Sequence, residues 1–198
     1  MGYRAIVKRL LGCALVSLGM TCSPSLKAPD YVHEFRRFTV IVDDNLPKEW
    51  IQKGLSDWSR VTGDVFIVHE ESHDSVFLLQ FNMALPNTLV MIDATDTQGE
   101  VCGKEEYIAC YTHARGVAYF YPAKILKDHN GGDKNNGSWG RVVAHEVGHF
   151  LGLEHAAKGK SVMYPTTDLC QERPTEGDGR LVGKLRDSGR LATHTPQL

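Results

Sequence analysis

His145, Glu146, His149 and His155, within the stretch HEVGHFLGLEH at 145–155, have the types and spacing of a metal centre. Two histidines four apart lie about 40° apart around a helix axis and one turn apart along it, so their imidazoles can converge on one point. Glu146 adjoins the first of them and can reach a water on the ion without being a ligand. Val142, Val143, Val147, Phe150 and Leu151 supply the apolar surface of a helix. Gly152 then interrupts it. Glycine tolerates positive φ and commonly ends a helix, so the chain can double back and bring His155 to the same point. Three neutral imidazoles plus a water make a tetrahedral zinc site with one open position, the arrangement catalysis requires. The alternative is a core helix with incidental histidines, which would bury polar groups at a cost no partner offsets.

Several elements must position this stretch. Phe38–Val42 is β-branched and apolar and predicts a strand. Pro47 can open a helix at its first turn. Trp50, Ile51, Leu55, Trp58 and Val61 follow the helical period up to Gly63, which should stop it. Asp64–His69, Ser75–Phe81 and Thr88–Ile92 read as further strands, with Glu70–Asp74 a polar loop between the first two. Residues 93–115 read as loop. Residues 128–138, rich in glycine and asparagine, read as a flexible loop leading to the histidine helix, with Ser138 its candidate cap. Asp128, Asn130 and Asp133 could bind Ca2+, although their spacing is not that of an EF-hand loop. His113, His129 and His194 are expected to be surface residues. Gly177, Gly179, Gly183 and Gly189 dilute 171–198, where a short helix through Leu181, Leu185 and Arg186 or a loose tail is expected.

HEVGHFLGLEH followed by Ser161-Val162-Met163-Tyr164-Pro165 resembles the metzincin clan of zinc endopeptidases, and within it the matrixin-like branch. The likeness implies an α+β, zincin-like domain: a twisted mixed sheet, a first long helix, a zinc-binding helix and a Met-turn. It implies one catalytic Zn2+ on His145, His149 and His155, with Glu146 as general base. Met163 would form a hydrophobic floor under the ion, a place suited to a soft, unbranched side chain. The segment LSDWSRVTG, ending at Gly63, resembles the first helix of matrixin domains and makes Trp58 a core residue against the sheet. Gly116–Pro122 resembles the edge strand beside the cleft, so Val117, Ala118, Tyr119 and Phe120 would bind substrate through their backbone. Thr167 stands where many matrixins place a tyrosine of the specificity pocket. Pro165 stands where astacin-like relatives place a metal-contacting tyrosine, so Tyr164 is not counted as a ligand.

The 198 residues suit one domain, and a net charge of −2 without a basic run argues against a nucleic-acid partner. Arg4, Lys8 and Arg9 precede an apolar stretch, Leu10–Met20, shorter than the roughly 18 residues of a membrane span. Residues 1–21 are therefore expected to be an export signal and 22–35 a linker. Residues 36–170 would be the catalytic domain. Cys22 is a candidate lipid anchor on an imperfect processing site, so the product is expected to be secreted or anchored at the cell envelope, with the periplasm as an alternative. Cys102 and Cys110 could close a small loop in an oxidising compartment, or remain free thiols, with Cys170 a third candidate for pairing. The expected partner is a protein or peptide substrate, met by a monomer. Two other functions fit the same residues: a non-catalytic surface-binding protein on this fold, and a hydrolase of peptidoglycan cross-bridges.

Overall fold

The computed structural model describes residues 36–81, 85–97, 101–103, 107–127, 135–157, 161–165 and 171–189. All belong to one compact unit, His33–Leu198. The stretch expected to be an export signal, the expected linker with Cys22, the calcium candidates Asp128, Asn130 and Asp133, and His129, Thr167, Cys170 and His194 lie outside the described residues. Among the described residues no helix is long and apolar enough to cross a membrane.

Strand β1 (Arg37–Asp43) alternates: Phe38, Val40 and Val42 are buried on one face. Helix α1 (Lys48–Thr62) follows and ends at Gly63, whose φ of 76° lets its N–H reach the Ser59 carbonyl. Strand β2 (Val65–Glu71) then pairs in parallel with β1. Strand β3 (Thr88–Asp93) pairs in parallel with the other side of β1. Strands β4 (Ala109–Thr112) and β5 (Val117–Phe120) form an antiparallel hairpin, and β5 joins β3 in parallel. The sheet order is β2-β1-β3-β5-β4, mostly parallel with one antiparallel edge strand.

Three expectations are corrected here. First, Ser75–Phe81 is not a strand: helix α2 (His73–Leu79) occupies it, and Ser72 alone separates it from β2. A short apolar run cannot be assigned by periodicity alone. Val76 and Gln80, four apart, are the buried positions. Two parallel strands on either side of β1 also need a crossover segment, usually a helix. Second, β5 is an inner strand and β4 is the edge. Val117, Ala118, Tyr119 and Phe120 are all essentially inaccessible and cannot pair with a substrate. Residues 93–115 are thus not loop throughout, since Ala109–Thr112 supplies the edge. Third, the helix carrying the histidines, α4 (Asn135–Phe150), starts early enough to place Ser138 inside it rather than at its cap.

Both faces of the sheet are covered. On one, Phe38, Val40, Leu89, Met91, Ala118 and Phe120 pack with Trp58 of α1 and with Val143 and Val147 of α4. On the other, Val90, Ile92, Val117 and Tyr119 pack with Val76 of α2. A short helix, α3 (Pro122–Lys127), follows β5. A disulfide joins Cys102 to Cys110, fastening the segment before β4 to the edge strand itself.

Within 171–198 the described part, 171–189, takes the helical alternative rather than that of a tail. Helix α5 (Glu176–Asp187) opens with a capping box between Thr175 and Asp178. At its far end Arg186 donates to both carboxylate oxygens of buried Asp64, between α1 and β2. Its glycines are contact points rather than breaks. A Cβ on Gly179 would stand 2.4 Å from the Val61 carbonyl oxygen of α1. Gly179→Ala should therefore lower stability by about 1–3 kcal/mol through overpacking, although alanine is the better helix former. A thermal melt checks this; a variant as stable as the parent would show that α5 does not approach α1 so closely.

Candidate metal centre

Helix α4 is seated on α1 before it can hold anything. The Trp58 indole N–H donates to the Ala144 carbonyl at 2.7 Å, one residue before His145. Trp58 thus contacts the histidine helix as well as the sheet. Gly54 permits the approach, because a Cβ there would lie 2.5 Å from Val143 Cγ1. The helix ends as a Schellman turn: Leu153 N bonds Gly148 O and Gly152 N bonds His149 O, both at 2.9 Å, with Gly152 at φ 87°. The chain turns there, and His155 swings back to the helix.

Two of the three ligand candidates are aimed by their neighbours. His145 Nδ1 lies 2.9 Å from the Val162 carbonyl oxygen, and His149 Nδ1 lies 2.8 Å from that of Leu153. A carbonyl oxygen only accepts, so both Nδ1 atoms carry the proton and both Nε2 atoms present lone pairs. Those lone pairs meet at His155, whose Nε2 is 3.1 Å from that of His145 and 3.2 Å from that of His149. The three ligand atoms lie within 4.8 Å of one another, and no other group of three such residues is gathered among the described residues. One proton on His155 could satisfy only part of this cluster, whereas a divalent cation satisfies all of it. The donor set fits zinc.

Electrostatics agree. Burial, with the His149 charge next, lowers the His145 pKa to about 3. Burial lowers that of His149 to about 4. Both rings are neutral at pH 7, as ligands must be. Glu146 is 4 % exposed, and its Oε2 has no hydrogen-bond partner. Burial pushes its pKa up to about 8. A buried carboxyl without a hydrogen-bond partner, next in sequence to His145, is an exception among buried polar groups and marks a candidate functional residue.

The turn after His155 closes the site from below. Met163 is buried, and a Cβ on Gly148 would meet its sulfur at 2.2 Å. Gly148, between the two helical histidines, thus makes room for the methionine. Ala156 N bonds the Met163 carbonyl at 2.9 Å. Arg141, one turn before His145, donates to the Tyr164 carbonyl at 2.9 Å. Ser161 Oγ accepts from Met163 N at 3.0 Å and donates to Asp178 Oδ1 at 2.7 Å. Asp178 Oδ2 in turn accepts from Thr175 N and Oγ1. The cap of α5 therefore fixes the turn under the histidines. Sequence reasoning singled out none of Arg141, Gly148 and Asp178. The one available signal was Thr175 three residues before Asp178, a helix-start spacing.

Of the residues named from sequence, His145, His149 and His155 are brought together, Glu146 adjoins them on α4, and Met163 lies against the same helix. Val117, Ala118, Tyr119 and Phe120 are not at the site's edge. Asp74 stays at the surface, and His73 Nδ1 bonds Asp43 Oδ2 at 2.5 Å.

A mostly parallel five-stranded sheet, a helix bearing two of three converging imidazoles and a methionine turn beneath them define a zincin-type metallopeptidase. The matrixin family model matches residues 32–178. The chain belongs to that family, and zinc metallopeptidase is its class. Its fold is similar to that of an archaemetzincin from Methanopyrus kandleri, at 13% identity and a TM-score of 0.52, covering 78% of this chain and 96% of that one. A zinc-dependent peptidase from Methanocorpusculum labreanum matches at 13% identity and a TM-score of 0.48, over 73% and 98% of the two chains.

Proposed function

We propose that the protein is an endopeptidase that cuts extended protein segments, with Glu146 as general base. The observation behind this reading is the meeting of three Nε2 atoms, at 3.1 and 3.2 Å, on the helix that carries an unpartnered buried carboxyl. A zinc ion held by His145, His149 and His155 would supply Lewis acidity, polarising a carbonyl and lowering the pKa of a water beside it. Glu146 takes the proton of that water and passes it to the leaving amine. Val162 O and Leu153 O hold the two helical imidazoles in the ligating tautomer throughout.

Strand β4 supports the substrate side of this reading. It pairs with β5 on one edge and is the last strand of the sheet, so its other edge offers N–H and C=O groups to an extended chain. Backbone pairing holds a peptide whatever its side chains, which suits cleavage within proteins. The basic start and apolar stretch of residues 1–21 favour action outside the cytoplasm, as a monomer that is secreted or held at the envelope through Cys22.

Incubation with casein and with a peptide library, with chelator and with zinc restored, tests the reading. Internal cleavage that chelator abolishes and zinc restores is expected. Cleavage that survives chelation, or release of single terminal residues alone, would overturn it.

A further inference from the structure

His113 stands apart from the three converging histidines yet beside them. It is the first residue after edge strand β4, at the start of the turn that Gly116 closes with φ 68°. Its side chain is exposed. Its ring centroid is 6.4 Å from that of His149, edge to face. The ligand rings are closer to one another, at 4.8 to 5.1 Å. His113 is thus too far out to complete the cluster, and close enough to touch a group bound over His149. The ring is also held. It packs edge to face on Tyr111 at 4.9 Å, and Tyr111 packs on Phe150 of α4 at 6.3 Å. Tyr111 and His113 are two apart, so they share one side of the strand end, the side that faces the histidine helix.

This placement rests on the endopeptidase reading and adds a residue to it. A peptide paired with the outer edge of β4 runs past the strand's end, where His113 sits opposite His149. A neutral imidazole carries one N–H, and in the described residues no hydrogen bond occupies either ring nitrogen of His113. We propose that His113 is a catalytic residue that donates a hydrogen bond to the oxygen of the carbonyl being attacked as that oxygen gains charge. No proton is transferred: the N–H stays on the ring, and the bond shortens as the oxygen becomes negative. An N–H donor held by Tyr111 costs little reorganisation at that moment.

The test compares the zinc-loaded parent with His113→Ala and His113→Gln, the second of which retains an N–H donor. Four quantities are read: zinc per chain, kcat, KM, and the affinity of a phosphinic peptide whose charged oxygens mimic the tetrahedral carbon. For His113→Ala, zinc content should equal that of the parent. Its kcat should fall by roughly 10–100-fold, less than the loss of a fully buried donor. KM should stay within about twofold. Phosphinic-peptide affinity should fall by the same factor as kcat, and His113→Gln should recover part of both. An unchanged kcat, a change in KM alone, or loss of zinc from His113→Ala would each overturn the proposal, the last by making His113 part of the metal's support. Glu146→Gln separates the two readings. If the parent cleaves, Glu146→Gln does not, and His113→Ala matches the parent, only the role of His113 has failed. If the parent cleaves no better than Glu146→Gln, the endopeptidase reading has failed and takes this inference with it.

Discussion

Glu146→Gln should reduce peptide hydrolysis by about 10²–10⁴-fold while leaving zinc bound. Glutamine keeps the shape of the side chain and loses its basicity, so packing around a residue that is 4 % exposed is preserved. The variant should also differ in a way that needs no substrate. In the zinc-free protein, burial raises the Glu146 pKa from 4.5 to about 8. The folded chain therefore holds a proton that the unfolded chain releases, and stability falls as pH rises between those values. His145 and His149, with pKa values lowered from 6.5 to about 3 and about 4, act in the opposite sense and only below about 6.5. Between pH 6.5 and 8 the zinc-free parent should thus lose more stability than zinc-free Glu146→Gln, which keeps only the smaller loss through His73, whose pKa the Asp43 hydrogen bond raises. Melting curves across that window measure it. Equal slopes for the two proteins would remove the case for a buried, partnerless carboxyl, and undiminished hydrolysis would remove the general base.

His145→Ala should abolish both zinc retention and activity. The side chain is the most buried of the three ligand candidates, and it also ties α4 to the Val162 carbonyl of the Met-turn. Its loss removes one of three donors and one of the bonds that set the turn's height. A two-histidine remnant leaves zinc's fourfold coordination half supplied by protein, and activity should fall to that of a metal-stripped parent. Metal analysis after dialysis, beside a melt with and without added zinc, reads both parts. The parent should gain thermal stability from zinc, because a ligand that binds only the folded chain raises its stability, and His145→Ala should gain none. A His145→Ala protein that keeps one zinc per chain would show that the ion sits elsewhere.

The metal helix was legible because several demands coincide in eleven residues. Two histidines one turn apart, a glycine where the helix must stop and a third histidine beyond it leave little freedom, and the fold brings the three rings together. Strand β1 and helix α1 were legible for a similar reason, since Gly63 and the spacing of Ile51, Leu55 and Trp58 each point to one structure. The misreadings share another cause. Ser75–Phe81 is apolar enough for either element, and only the parallel pairing of β2 and β3 with β1 decides for a helix. The swap of edge and inner strand arose because Ala109–Thr112 is short and half polar, while Val117–Phe120 is apolar throughout. The second pattern is that of a strand buried on both faces, which its burial bears out. Gly179 weakens a helix by propensity, yet its value lies in the backbone of Val61, which no local pattern reveals.

The bond from Ser161 to Asp178 has a consequence for biosynthesis. All three histidines leave the ribosome before the aspartate that steadies the loop beneath them. A nascent chain halted after His155 would own every ligand while lacking Met163, Asp178 and the clasp of Arg186 on Asp64. The loop beneath the ligands is thus completed only after all three histidines have been made, once Asp178 has followed them.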